Sequence, residues 1–122
     1  MLELLDNKIT PLGCEFIGKL LSPKVGTNIL ILKLDHNEFG SKGMQHLSEG
    51  LAINRQIQSL SLTYCNIDQE GARAIFEILI FSQSQLEELN LSGNHLRNEG
   101  IIVVFRGLSI NKNLKKIYLA DN

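Results

Sequence analysis

The stretch Leu86–Gly100, LEELNLSGNHLRNEG, decides the reading of the whole chain. Apolar Leu86, Leu89, Leu91 and Leu96 surround Asn94, and Gly100 follows six residues later. The same phrase recurs along the sequence. The runs leading into the equivalent position are Leu2–Asn7 (LELLDN), Ile29–Asn37 (ILILKLDHN), Ile57–Cys65 (IQSLSLTYC) and Leu114–Asn122 (LKKIYLADN). Asn7, Asn37, Cys65, Asn94 and Asn122 are therefore one position repeated, at steps of 30, 28, 29 and 28 residues. Gly13, Gly43, Gly71 and Gly100 each stand six residues beyond a copy of it. A fixed period of this length marks a repeat architecture, in which each unit is one supersecondary element.

Inside each phrase, apolar and variable residues alternate, as in Leu32-Lys33-Leu34 and Leu89-Asn90-Leu91. A period of two predicts a short strand with one buried face. The asparagine sits where the chain turns out of that strand. Its amide donates and accepts, so stacked copies can satisfy turn backbone groups that burial would otherwise leave unpaired. Cys65 suits the same slot as a small buried group with a weak S–H donor.

Beyond each glycine the period becomes helical. One apolar stripe is formed by Cys14, Ile17 and Leu21, by Met44, Leu47 and Leu51, by Ala72, Ile75 and Leu79, and by Ile101, Val104 and Leu108. Glu15–Lys19 and Arg73–Glu77 are placed to pair across one turn of the outer face. Thr10-Pro11 reads as N-cap and first helical residue, Asp68 precedes the third helix similarly, and Asn54 and Asn111 punctuate helix ends.

Composition is consistent with this plan. The 122 residues are 43% apolar but only 6% aromatic, without Trp, which predicts an aliphatic core. A net charge of −1 favours neither nucleic acid nor an anionic membrane as partner. Cys14 and Cys65 have no metal-ligand or disulfide spacing and suit a reducing, cytoplasmic setting. The start, MLELLDNKIT, lacks a basic region ahead of its apolar residues and does not read as a signal peptide.

The phrase LxxLxLxx(N/C)xLxxxGxxxLxxxL, over residues 2–122, resembles the ribonuclease-inhibitor-like subclass of leucine-rich repeats. That resemblance implies an α/β solenoid: a right-handed horseshoe segment with parallel strands on the concave face and helices on the convex face. Residues 1–122 are expected to form a single domain of about four repeats, with partial units at both ends. The chain stops at Asn122 within a repeat and shows no polar capping unit, so sequence beyond it, or a partner, is expected to cover the ends; self-association there is one form of this. The subclass includes ribonuclease inhibitor, NOD-like receptor repeats and Ran GTPase-activating proteins.

Motifs that would suggest chemistry have simpler readings. Gly13–Lys19 matches GxxxxGK, but Leu20 stands where a phosphate loop needs Ser or Thr. His36, His46 and His95 map to separate places without ligand spacing. The glycosylation pattern Asn90-Leu91-Ser92 contains a core leucine. No catalytic, cofactor-binding or metal-binding residue is expected, and the protein is not expected to be an enzyme.

Recognition falls instead to the variable strand positions. Side chains on rigid, closely spaced strands are preorganised for binding. The expected contact residues are Lys33, Asp35, Ser61, Thr63, Glu88, Asn90, Lys116 and Tyr118, with Tyr118 the one aromatic anchor. The resulting expectation is a non-catalytic scaffold whose concave face binds another protein. The resemblance also implies alternatives: a GTPase regulator of the Ran-activator type, or a repeat segment of a larger innate-immune sensor or pathogen effector. A further candidate is the apolar character of Ile80, Phe81 and Ile102 near normally polar helix positions.

Overall fold

The computed structural model describes residues 1–122. Five short strands form one parallel sheet in sequence order: β1 (Leu2–Glu3), β2 (Ile31–Lys33), β3 (Ser59–Ser61), β4 (Glu88–Asn90) and β5 (Lys116–Tyr118). Between them lie α1 (Pro11–Leu20), α2 (Gly40–Leu51), α3 (Ala72–Ile80) and α4 (Arg97–Ile110). Each parallel step needs a crossover, and a helix supplies it. The result is the expected leucine-rich-repeat solenoid, with strands along one side and helices along the other.

Register follows the repeat residue for residue. Leu2, Leu32, Leu60, Leu89 and Ile117 stand side by side, as do Glu3, Lys33, Ser61, Asn90 and Tyr118. The first row points into the core and the second away from it, because strand side chains alternate. Leu32, Leu34, Leu60, Leu62, Leu89 and Leu91 are fully buried, together with Met44, Leu47, Ile75, Leu79 and Val104 from the helices. Twenty-three residues make up one continuous hydrophobic cluster, in which Phe39 is the one aromatic side chain.

The turns are held by the repeated asparagine. Asn94 Oδ1 accepts from the Cys65 and Ile67 amides, both at 3.0 Å, one repeat back. Its Nδ2 donates to the Leu62 and Leu91 carbonyls, both at 2.8 Å. Asn37 does the same, accepting from the Asn7 and Ile9 amides and donating to the Leu4 and Leu34 carbonyls. Asn122 repeats the motif with the Leu96 amide and the Leu91 carbonyl. Cys65 keeps the donor half, its Sγ donating to the Leu34 and Thr63 carbonyls at 3.3 and 3.4 Å. It has no amide oxygen to offer, and the Phe39 amide turns to the carbonyl of Asn37 instead, at 2.7 Å.

Helix ends partly depart from expectation. Pro11 opens α1 after Thr10, but the Thr10 hydroxyl makes no capping bond. Asp68 lies too far ahead of α3 to cap it, and its carboxylate organises the preceding loop by accepting from the Glu70 amide and the Ser41 hydroxyl. Asn54 and Asn111 stand where α2 and α4 end, but their side chains reach sideways and do not cap those helices. Their amides donate to the Leu21 and Leu79 carbonyls, 2.9 Å away at the end of the preceding helix. A second set of asparagine bonds thus ties repeats along the opposite edge. Glu15–Lys19 closes at 2.9 Å, whereas Arg73 and Glu77 form no ion pair.

The helices are not evenly spaced. A methyl group at Gly50 would collide with the carbonyl of Gly18, so α1 and α2 touch backbone to backbone. The segment Gly13–Lys19 lies within α1, and its second glycine is needed for that contact, not for a phosphate.

Two stability outcomes are expected. Asn94→Ala should cost about 1–3 kcal/mol in a urea titration, because two amides and two carbonyls lose their partner. Gly50→Ala should destabilise by about 1–3 kcal/mol or more through overpacking, read as a lowered thermal midpoint.

Candidate functional site: the strand face and its rim

The strand face carries three rows of side chains. Ile31, Ser59, Glu88 and Lys116 form the first, and Glu3, Lys33, Ser61, Asn90 and Tyr118 the second. Asp35, Thr63, Ser92 and Ala120 follow at the strand exits. All eight residues expected from the sequence to contact a partner lie on this face, but their surroundings differ.

Asp35 is the chief departure from a freely exposed side chain. It is only 8% exposed, and a single oxygen, Oδ1, accepts from the Ser61 hydroxyl at 2.6 Å, the Thr63 hydroxyl at 2.8 Å and the Thr63 amide at 2.7 Å. Asp35, Ser61 and Thr63 are therefore a cross-strand network that stiffens the surface. Lys33 is held by Glu3 at 2.7 Å, and that hydrogen bond and charge keep its ammonium above the usual lysine range. Asn90 Oδ1 accepts from the Ser92 amide. Glu88 and Lys116 stand in register on neighbouring strands, 3.8 Å apart, and Tyr118 is 43% exposed beside Asn90. The freest contact groups are thus Glu88, Lys116 and Tyr118, gathered at the β4–β5 end.

A feature the sequence reading passed over lies at the rim. The residue before each rung, the repeated position held by Asn7, Asn37, Cys65, Asn94 and Asn122, is Asp6, His36, Tyr64, Gly93 or Asp121 and has φ between 52° and 73°. This left-handed conformation turns the chain out of the strand, and Gly, Asp and His tolerate it more easily than Tyr. Tyr64 is fixed there by packing. The His36 ring stacks on it with centroids 5.0 Å apart and planes 10° from parallel, and its other side lies against Gly93. A Cβ at Gly93 would sit 2.5 Å from the ring, so glycine is required by both conformation and space. The signal was present in Asp6, His36, Gly93 and Asp121, types that tolerate a left-handed backbone, each one place before a repeated asparagine; Tyr64 before Cys65 interrupts it.

The largest concavity is elsewhere, an open groove of about 850 Å³ on the helix side with Arg73, Phe76, Glu77, Ile80, Val103 and Arg106 in its walls. Ile80 and Ile102 are exposed, Phe81 half-buried. The three histidines do not converge, and no group of acidic, Cys and His side chains is arranged to hold a metal ion. Both cysteines are buried, and desolvation pushes their thiols up to about 12. Neither is placed as a nucleophile at neutral pH.

Comparison with known proteins agrees with this geometry. The family described as leucine-rich repeat matches residues 27–48, 54–76 and 84–105. The chain is 32% identical over 107 residues to human NACHT, LRR and PYD domains-containing protein 13, which covers 88% of this chain and 10% of that protein. It is 31% identical over 108 residues to mouse ribonuclease inhibitor, covering 88% of this chain and 23% of the inhibitor. The chain therefore spans only a small part of either relative. Among solved structures, leiomodin-1 actin-binding site 2 superimposes with a TM-score of 0.80 at 21% identity, over 97% of this chain and 68% of the other.

The buried thiols give a direct check. Because the folded values lie above the ordinary 9.0, the thiolate is suppressed in the native state at pH 8. A thiol-reactive chromophore should label neither cysteine in native protein and both after unfolding. Stability should also fall as pH climbs from 9.0 toward 12, since only the unfolded chain ionises these thiols readily there.

Proposed function

The chain belongs to the leucine-rich repeat family, and on that premise we propose that it is a non-catalytic scaffold that binds another protein on its concave strand face. The observation that carries this reading is the register of the sheet. Parallel pairing fixes Glu88 beside Lys116 and Asn90 beside Tyr118, and the Asp35 network immobilises the neighbouring strands. A surface ordered before binding loses little side-chain entropy on contact. Tyr118 supplies the type of anchor on which interface energy concentrates.

The similarity to ribonuclease inhibitor supports the class of partner, a protein, and not its identity. The hydroxyls that meet a carboxylate, those of Ser61 and Thr63, share one oxygen of the buried Asp35 and serve as cross-strand ties, which favours recognition over turnover. Two free, buried thiols suit a cytoplasmic setting, and the proposal places the protein there.

Replacing Lys33, Asn90 and Tyr118 together by alanine tests the reading. Partner recovered by the unaltered chain in a pull-down should be lost or weakened about tenfold or more with the triple variant. Its thermal midpoint should stay close to that of the parent. Undiminished capture would rule out the strand face.

A further inference from the structure

Charge is segregated between the two edges of the sheet. The segments that follow the strands, residues 4–13, 34–43, 62–71, 91–100 and 119–122, carry six carboxylates besides the buried Asp35 of the strand face, namely Asp6, Glu38, Asp68, Glu70, Glu99 and Asp121. Only Lys8, Lys42 and Arg97 oppose them. The other edge, residues 21–30, 52–58, 81–87 and 111–115, carries Lys24, Arg55, Lys112 and Lys115 against Glu87 alone. Lys115 neutralises Glu87 at 3.0 Å, whereas no carboxylate of the first edge joins an ion pair. The net charge of −1 conceals an acidic edge and a basic one.

Midway along the acidic edge lies a groove of about 440 Å³ lined by Glu38, Tyr64, Asn66, Gly93, His95 and Asp121. Its centre is rigid, because Tyr64 is clamped between His36 and Gly93. Its ends are charged. Glu38 follows the second rung and Asp121 precedes the fifth, so they stand three strand spacings apart, roughly 14 Å. An extended chain covers that distance in about four residues, which returns a side chain to the same face.

We propose that this edge docks an extended basic segment of the partner protein. One arginine or lysine meets Glu38, a second about four residues on meets Asp121, and the intervening backbone crosses Tyr64. The proposal rests on the protein-binding reading above and adds the chemistry of the partner. Unpaired like charges on one edge attract a cationic segment from a distance, fix its orientation and repel acidic competitors.

The test uses the ¹⁵N-labelled chain titrated with two heptapeptides of equal composition, one with arginines about four residues apart and one with them adjacent. The spaced peptide should bind more tightly, shifting the amides of Glu38, Asn66, Gly93, His95 and Asp121. Its affinity should fall about tenfold between roughly 50 and 300 mM salt. Glu38→Lys with Asp121→Lys should abolish the shifts, with amide dispersion confirming the fold. Glu88→Ala with Tyr118→Ala should leave them intact. Shifts on the opposite edge, no preference for spacing, or indifference to the charge reversal would overturn the proposal. Binding lost only in the Glu88/Tyr118 variant would overturn it too, while leaving the strand-face reading standing; that reading falls to the pull-down alone.

Discussion

Everything in this molecule depends on one side-chain amide used four ways. A short parallel strand must turn sharply into a loop, and the turn leaves backbone donors and acceptors beneath the surface. At Asn37 and Asn94 the oxygen takes two amides from the repeat behind, and the nitrogen gives to carbonyls in both repeats. Left unpaired, a buried group of this kind costs about 1–3 kcal/mol. Full burial of a leucine contributes about 1.5–3 kcal/mol. Losing one rung is therefore comparable to losing one core leucine, and a solenoid has few layers over which to spread the loss.

The rung also explains which details were legible in the sequence. Leu89, Leu91, Asn94 and Gly100 each answer to a local rule repeated four or five times, so their roles could be read without coordinates. What required coordinates were bonds between repeats that no local period encodes. Asp35 reads as an exposed strand residue, yet Ser61 and Thr63 on the next strand draw it into a network. Asn54 and Asn111 read as helix stops, yet they act by reaching the preceding helix. Tyr64 occupies a left-handed position that disfavours it, and only His36 and Gly93 on the flanking repeats make sense of it. Arg73 and Glu77 satisfied the helical spacing rule without closing a bridge.

These bonds between repeats are also what equips the surface. Strands of three residues leave little face per repeat, so a usable area comes only from stacking in strict register. The Asp35 network, the Glu3–Lys33 pair and the Tyr64 clamp remove freedom from one part of that area. Glu88, Lys116 and Tyr118 remain available at the other. A rigid centre with adaptable groups beside it favours selective recognition, because the cost of ordering is met during folding.

Native-state hydrogen exchange on the unaltered chain tests the central claim most directly. The amides of Cys65 and Ile67 lie in a loop outside any helix or strand. If Asn94 holds them, they should exchange as slowly as the sheet amides of Leu60 and Leu89, while Asn66 between them exchanges fast. Exchange of all three at one rapid rate would contradict the asparagine as the element that holds the repeats together.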